Sequence, residues 1–174
     1  MSKNLTHINA DGAANMVDVS DKDHTTRLAI ASSAVKMQPA TLELIVSGNA
    51  KKGDVIGTAR LAGIMAAKKT HDLIPLCHPL PLDHVAIRLV LEPKTHSVLV
   101  YAFVGCFAKT GVEMEALSAV NAALLTLYDL TKPVEPALTI CDISLLLKEG
   151  GKKGRWIRPE GLPDEVANFA AQPA

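Results

Sequence analysis

Apolar and polar residues alternate along parts of this chain with the period of two that is typical of half-buried β-strands. Val85, Ile87 and Leu89 face one way, for example, and Arg88 faces the other. Such patterns predict four strands, at Thr25–Met37, His84–Leu91, Ser97–Phe107 and Leu138–Leu147. Because only the short segment PKTHS links the second and third strands, we expect these two to form an antiparallel hairpin.

Three other segments have the composition or the 3.6-residue period of α-helices. Pro39–Val46 opens with a proline and is soon followed by a glycine, which is the usual polarity of a short helix. Asp54–Lys69 repeats its apolar positions at helical spacing, with Asp54 as its N-cap. Val112–Leu130 is apolar nearly all round its second half, so it predicts a largely buried helix. Three prolines within Thr70–Leu82 predict a loop.

The order of these elements favours an α+β fold. We expect a ferredoxin-like sandwich in which helices pack on one face of an antiparallel sheet. The 174 residues suffice for one domain. We place that domain at residues 16–158, between flexible segments at 1–15 and 159–174 that contain little core material.

The composition excludes several classes of protein. Hydrophobic residues make up 48% of the chain and charged residues 21%, which is a globular composition rather than a disordered one. Aromatic residues make up only 3%, whereas binders of single-stranded nucleic acid stack bases on aromatic rings. Eighteen basic and eighteen acidic residues give a formal net charge of zero. We therefore expect no nucleic-acid partner, although a local basic pocket remains open.

Cysteine usage and the first residues bear on location. Cys77, Cys106 and Cys141 are too few and too scattered for a disulfide framework and fit a reducing compartment. The opening segment MSKNLTHINADG has no apolar h-region, and no uncharged apolar run is long enough to cross a bilayer. We expect a cytoplasmic protein with no membrane partner.

Two segments combine lysine and glycine in a way that suits anion binding. Lys51 and Lys52 come just before the start of a predicted helix, where free N–H groups and the helix dipole favour anions. The loop Lys148–Arg155 interleaves glycines with basic residues, so its backbone could close around phosphate. Solvated lysines and a plain basic loop remain the alternative interpretations.

A proline-rich loop carries cysteine and histidine. His71, Cys77, His78 and His84 are candidate metal ligands, but they lack the paired Cys-x-x-Cys or His-x-x-x-His spacing of metal sites. We therefore expect no metal bound by protein ligands. A Cys–His nucleophilic pair is also disfavoured, because adjacent residues tend to point apart. The alternative is a buried cysteine beside a hydrogen-bonded histidine.

Charged residues occur at both ends of the predicted helix Val112–Leu130. Glu113 and Glu115 are in its first turn, where the helix dipole favours negative charge. Asp129 and Lys132, three residues apart, share one face at its other end. Helix capping and a surface ion pair would explain these residues, and so would carboxylates and ammonium groups that line a pocket.

Four segments taken together resemble the MoaC family of molybdenum cofactor biosynthesis. They are MVDVSDKDHTTR, KKGDVIGTARLAGIMAAKKTHDLIPLCHPL, TGVEMEALSAVNAALLTLYDLTK and LLLKEGGKKG. The resemblance covers about residues 5–155, and its runs DLIPLCHPL and KTGVEMEAL are long and specific. It implies a lyase that converts (8S)-3′,8-cyclo-7,8-dihydroguanosine 5′-triphosphate to cyclic pyranopterin monophosphate and releases pyrophosphate.

The resemblance also implies roles for individual residues. The catalytic residues it implies are Lys52, Asp129 and Lys132. The substrate-binding residues it implies are Leu76, Cys77, His78, Glu113, Met114 and Glu115, with Arg27, Lys68, Lys69, Lys148, Lys152 and Lys153 around the triphosphate. It further implies a homohexamer, a trimer of dimers with active sites between subunits, and no tightly bound cofactor. Mg²⁺ could accompany the triphosphate through its phosphate oxygens.

A non-enzymatic module that senses a nucleotide is the competing hypothesis. Such a ferredoxin-like regulatory protein would need the anion-binding lysines, but it would not need Asp129 and Lys132 in a closed pocket. Turnover of the cyclised guanosine triphosphate separates the two hypotheses.

Overall fold

The computed structural model of the chain describes residues 7–8, 11–48 and 53–170, and side chains as far as residue 167. Its five strands form one antiparallel sheet in the order β2-β3-β1-β4-β5. They are β1 (Thr25–Lys36), β2 (His84–Glu92), β3 (Ser97–Ala108), β4 (Thr139–Glu149) and β5 (Trp156–Ile157). The four predicted strands are confirmed to within two residues at each end, and the two-residue β5 is additional.

Within the described ranges, five α-helices accompany the sheet. They are α1 (Pro39–Val46), α2 (Val55–Lys68), α3 (Thr70–Leu73), α4 (Glu113–Thr131) and α5 (Asp164–Ala170). The three predicted helices are confirmed as α1, α2 and α4. Asp54 caps α2 as expected, since its carboxylate accepts a hydrogen bond from the Gly57 N–H at 2.7 Å. None of the helices in the described part of the chain is long and apolar enough to span a membrane.

The prediction of a continuous loop over Thr70–Leu82 is wrong at its start, where α3 forms. The Thr70 hydroxyl donates to the carbonyls of Ala66 and Ala67, each at 3.1 Å. These bonds tie the first residue of α3 to the last turn of α2, so the chain makes one more helical turn before the prolines begin. A threonine that bonds back three or four residues leaves no trace in hydrophobic periodicity.

The two long helices α2 and α4 cover one face of the sheet and run antiparallel to each other. At mid-helix a Cβ added to Gly63 would lie 3.0 Å from the Ala119 carbonyl oxygen, so glycine permits this close approach. Further along, His71 interacts electrostatically with Glu115 near the start of α4. The C-terminal end of α2 therefore lies beside the N-terminal end of α4, and Asp54 begins α2 at the end where α4 stops.

The opposite face of the sheet has its own small core. Ile30, Tyr101, Phe103 and Leu147 are buried there, together with Val166 of α5. The expected ferredoxin-like α+β fold, with helices packed on one face of an antiparallel sheet, is confirmed, and the short helix α5 packs in addition on the other face. Apolar side chains on that face require a cover, which residues 162–166 provide. The division of the chain at residues 16 and 158 stays a prediction.

Candidate functional site

Two adjacent clefts open at the N-terminal end of α4. The larger has a volume of about 720 Å³ and the smaller about 370 Å³. They share four lining residues, namely Lys22, Thr110, Gly111 and Glu113. Because the turn before α4 forms their common wall, a single elongated ligand could occupy both clefts.

The larger cleft, here called the cationic cleft, concentrates positive charge on a neutral protein. Its basic residues are Lys22, Arg27, Lys109, Lys148, Lys152 and Lys153, against four carboxylates from Asp21, Asp23, Glu113 and Glu149. Two of these carboxylates are already paired, since Lys148 Nζ lies 2.9 Å from Glu113 Oε1 and Arg155 Nε lies 3.8 Å from Glu149 Oε2. The cleft therefore suits a ligand with several negative charges.

Arg27, on β1, contacts two other segments at this cleft, namely the end of β3 and the loop after β4. Its Nε donates to the Ala108 carbonyl and its Nη2 to the Lys109 carbonyl, each at 3.1 Å. The loop after β4 approaches the same side chain at Gly150 and Gly151, which have φ angles of 104° and 70°. Both glycines are therefore in a backbone conformation that other residues rarely adopt.

The smaller cleft, here called the inner cleft, brings together the segments 76–78 and 113–115. Leu76, Cys77 and His78 line it with Glu113, Met114 and Glu115. All six were predicted as substrate-binding residues, and the structure places them around one cavity. The loop Ile74–Pro81 and the first turn of α4 meet here because α2 and α3 deliver the chain to this end of α4.

The segment before β1 forms the remaining wall of the inner cleft. Val17, Val19 and Lys22 line it. His78 Nε2 donates to the Val17 carbonyl at 2.8 Å, which fixes the Nε2–H tautomer of the ring. Lys109 Nζ donates to the Ser20 carbonyl at 2.7 Å. Two cleft residues thus hold this segment in place through its backbone.

Burial alters the acid–base chemistry of the inner cleft. Glu115 is only 4% exposed, and burial raises the pKa of its carboxyl above the ordinary value. Burial, followed by the nearby Glu115, also raises the pKa of the Cys77 thiol. Cys77 is therefore a neutral thiol at pH 7 rather than a thiolate nucleophile. The raised pKa makes the Glu115 carboxyl a weaker acid, and its carboxylate a stronger base, than a glutamate in water.

The predicted catalytic pair lies at the opposite end of α4. Lys132 Nζ is 2.6 Å from Asp129 Oδ1, and both side chains are at least half exposed. The hydrogen bond that the Lys132 ammonium donates to the Asp129 carboxylate raises the pKa of Lys132, so this lysine is held in its charged form. At 1.5 Å per residue, Asp129 is about 24 Å along the helix from Glu113. One chain therefore does not bring this pair to the clefts.

Two predicted lysines, Lys68 and Lys69, do not line the clefts, and for Lys52 the structure gives no position. Lys52 lies outside the described residues, so its predicted catalytic role stays a prediction. Lys68 and Lys69 are described, exposed and located at the C-terminal end of α2, and neither lines a cleft. In contrast, Arg27, Lys148, Lys152 and Lys153 all line the cationic cleft.

Sequence reasoning missed several residues that line the clefts. Lys22 and Lys109 add two cations, and Val17 and Val19 add apolar surface. The signal for both lysines was present, because Lys22 belongs to MVDVSDKDHTTR and Lys109 begins KTGVEMEAL. What local pattern could not reveal is that these two segments meet.

No group of three or more His, Cys, Asp or Glu side chains that could hold a metal ion occurs within the described ranges. His71 pairs instead with Asp72, its Nε2 lying 3.5 Å from Asp72 Oδ1. His84 is at the first position of β2, away from the lining of both clefts. The four candidate ligands named from the sequence are therefore not assembled into one site.

Comparison of the sequence with known proteins finds a matching family model and similar named proteins. A model of the MoaC family matches residues 16–151. A protein named cyclic pyranopterin monophosphate synthase from Dinoroseobacter shibae is 58% identical over 152 residues, which cover 87% of this chain and 96% of the relative. Proteins of the same name from a Nostoc species and from Brucella ovis are each 55% identical, covering 91% and 90% of this chain and 94% of each relative. Because the family match spans most of the chain and includes all but three of the residues that line the two clefts, the chain belongs to the MoaC family.

Proposed function

We propose that this protein is a cyclic pyranopterin monophosphate synthase. Its substrate is the cyclised dihydroguanosine triphosphate, and its products are cyclic pyranopterin monophosphate and pyrophosphate. The relatives that share 55–58% of their aligned residues with this chain carry that name. The observation that carries the proposal is the junction of a cationic cleft and an inner cleft at the start of α4.

The two clefts match the two parts of such a substrate. A triphosphate needs several cations in one place, and the cationic cleft offers Arg27, Lys109 and Lys148 with further lysines at its rim. A fused ring with amide and amine edges needs apolar contact and a few polar groups, which Met114, His78 and Glu115 supply. Since the clefts share the wall Thr110–Glu113, the two parts of one molecule can fill both.

Asp129, Lys132 and Lys52 supply the proton transfers in this proposal. The rearrangement moves protons on nitrogen and carbon and closes a cyclic phosphate, so pyrophosphate leaves as the other product. A lyase of this kind needs groups that donate and accept protons beside the ring. Lys132, held charged by Asp129, fits the role of a proton donor or a stabiliser of developing negative charge.

A second copy of the chain completes the site. Asp129 and Lys132 are about 24 Å along α4 from the clefts, which exceeds the reach of any side chain. A neighbouring subunit that presents its own α4 terminus would bring the pair to the inner cleft. The homohexamer implied by the family, a trimer of dimers with sites between subunits, meets this requirement.

The site as proposed works without a tightly bound cofactor. Mg²⁺ would enter with the triphosphate, bound through phosphate oxygens rather than through a cage of protein ligands. Cys77, Cys106 and Cys141 are all free thiols, and burial raises the pKa of Cys106 to about 11. Free, unreactive thiols fit the cytoplasm, where such a pathway enzyme would work.

Incubation of the purified protein with the cyclised guanosine triphosphate tests the proposal. We expect stoichiometric release of pyrophosphate together with a pterin product identified by mass spectrometry. Binding without turnover would instead support the nucleotide-sensing module and overturn the enzyme. Light scattering coupled to size exclusion tests the assembly, and an active monomer would contradict the shared site.

A further inference from the structure

We propose that Arg27 is a positioning residue that sets the shape of the wall between the two clefts, beyond any charge it contributes to the cationic cleft. This inference rests on the proposed function for its kinetic consequences, but its structural consequence can be measured without turnover. It assigns to Arg27 a role that a lysine in the same place could not perform.

The contacts of the guanidinium carry the argument. Two of its three nitrogens are engaged by backbone carbonyls, Nε by Ala108 and Nη2 by Lys109, each at 3.1 Å. Arg27 is half-buried in β1, and these carbonyls are at the end of β3, some eighty positions later in the chain. A group that only neutralised phosphate would leave its N–H donors for the ligand. Instead, two N–H groups of Arg27 donate to backbone carbonyls at this turn.

That turn is the part of the protein that both clefts share. Thr110 and Gly111 follow directly after the clamped carbonyls and line both clefts, and α4 begins two residues later. The clamp therefore fixes the start of α4, and with it the direction of Glu115 in the inner cleft. Lys109 links this turn to the segment before β1, because its ammonium donates to the Ser20 carbonyl at 2.7 Å.

The glycine-rich loop is shaped around the same guanidinium. A Cβ added to Gly151 would overlap Arg27 Nη1, and one added to Gly150 would overlap the Thr26 carbonyl oxygen. Both residues also have positive φ. These glycines leave room for the clamped arginine, so they serve its geometry as well as any contact of the loop with phosphate.

Arginine and lysine differ in the way this proposal requires. A guanidinium is a rigid planar fork that can hold two carbonyls at once, whereas an ammonium is a point charge on a flexible stem. Arg27→Lys keeps the charge of the cationic cleft and loses the two-carbonyl clamp. Lys152→Ala removes a charge from the cleft and keeps the two-carbonyl clamp, because Lys152 is an exposed cation of the same cleft.

The first experiment compares these two variants in steady-state turnover and in calorimetric binding of pyrophosphate. We expect Arg27→Lys to lower kcat by on the order of 10-fold to 10²-fold, because small misplacement of reacting groups is costly, with pyrophosphate affinity within about threefold of wild type. Lys152→Ala should weaken pyrophosphate binding and raise KM while kcat stays close to wild type. An Arg27→Lys enzyme with wild-type kcat, or one altered only in pyrophosphate affinity, would overturn the proposal.

The second experiment measures amide hydrogen exchange in the full-length protein without substrate. Arg27→Lys should speed exchange in the peptide that covers residues 108–113, while the peptide over β2 exchanges as in wild type. Unchanged exchange at 108–113 would refute the clamp even if the protein proved not to be a synthase. Failure of the wild-type protein to turn over substrate, with faster exchange in the variant, would refute the proposed function and leave the clamp standing.

A third variant reaches the clamp from the loop. Gly151→Ala should displace the guanidinium and lower kcat as Arg27→Lys does, and the double variant should be little worse than either single one. Gly154→Ala is the matched control, since Gly154 also has positive φ but no atom lies within 4 Å of an added Cβ. Additive losses in Arg27→Lys and Gly151→Ala would mean that the two positions act separately, contrary to the proposal.

Discussion

The two ends of α4 present opposite environments to their charged residues. At the N-terminal end, Glu115 is buried and Glu113 shares a half-buried ion pair with Lys148. At the C-terminal end, Asp129 and Lys132 form a close pair that is 59% and 50% exposed. The first end lines both clefts, whereas the charged pair at the second end lines neither of them.

The difference shows what each end lacks. The two clefts can bind a substrate by themselves, whereas a solvated ion pair contributes little until water is excluded from it. In the proposed assembly each end supplies what the other needs, from different subunits. In that assembly a single chain contributes one half to each of two sites and forms no complete site alone.

Lys132→Ala should have the largest effect on turnover. If Lys132 acts in proton transfer or stabilises developing charge, kcat should fall by about 10²-fold or more. The melting temperature should hardly change, because an exposed ion pair contributes only about 0–1 kcal/mol to stability. Lys94→Ala, at an exposed lysine in the turn after β2, is the control and should keep full activity. Undiminished turnover in Lys132→Ala would show that Lys132 has no role in catalysis.

Mixing two defective subunits tests whether the two ends meet across an interface. Equal amounts of Lys132→Ala and Lys148→Ala chains are exchanged and assayed at substrate concentrations well below KM, where both unmixed variants are slow. About a quarter of wild-type activity should return if each site takes one residue from each of two subunits, because a quarter of the sites then contain both lysines. If both residues of a site came from one chain, the activity would stay at the average of the two unmixed variants. Mass spectrometry of the mixed oligomers confirms that exchange took place.

Lys148→Ala on its own should act on substrate affinity. Loss of a charge-assisted contact to phosphate is expected to raise KM by about tenfold, with a much smaller change in kcat. Arg158→Ala is the matched control, since Arg158 also forms a 2.9 Å ion pair, with Glu160, but does not line the described clefts. Equal KM values for the two variants would argue against phosphate binding in the cationic cleft.

The smallest expected effect is that of Glu115→Gln on the free energy of unfolding. Burial raises the pKa of Glu115 above its ordinary value of 4.5, so the folded state binds this proton more tightly than the unfolded state does. The stabilisation is therefore complete below pH 4.5 and is lost as the pH rises through the raised pKa.

The Glu115→Gln variant removes that loss. Its free energy of unfolding at pH 7 should exceed that of wild type by on the order of 1 kcal/mol, and the gain should shrink towards pH 4. Urea unfolding at several pH values measures the difference, with the exposed Glu43→Gln as control. A gain that is the same at pH 4 and pH 7 would show that ionisation of Glu115 is not its source.

Local pattern predicted the elements well and the assembly of the clefts only in part. The strands, the hairpin, α2 with its Asp54 cap and the buried helix α4 follow from periodicity and capping chemistry. Periodicity did not predict the helices α3 and α5. The hydrogen bond of a threonine hydroxyl stabilises α3, and one buried valine packs α5 on the sheet. The residues 76–78 and 113–115 were named from resemblance, and their meeting around one cavity required the antiparallel packing of α2 on α4.

The sequence by itself determined which segments could carry chemistry, since helix ends, glycine-rich loops and clustered lysines are local features. Only the tertiary structure decided which of them share a cavity. Arg27 reaches Ala108 because β1 pairs with β3, and Lys148 reaches Glu113 because β4 lies beside β1. Lys68 and Lys69 looked equivalent to Lys152 and Lys153 in sequence, but neither lines a cleft, although the end of α2 lies beside the start of α4. Strand pairing across eighty or more residues sets these distances, and no local period contains that information.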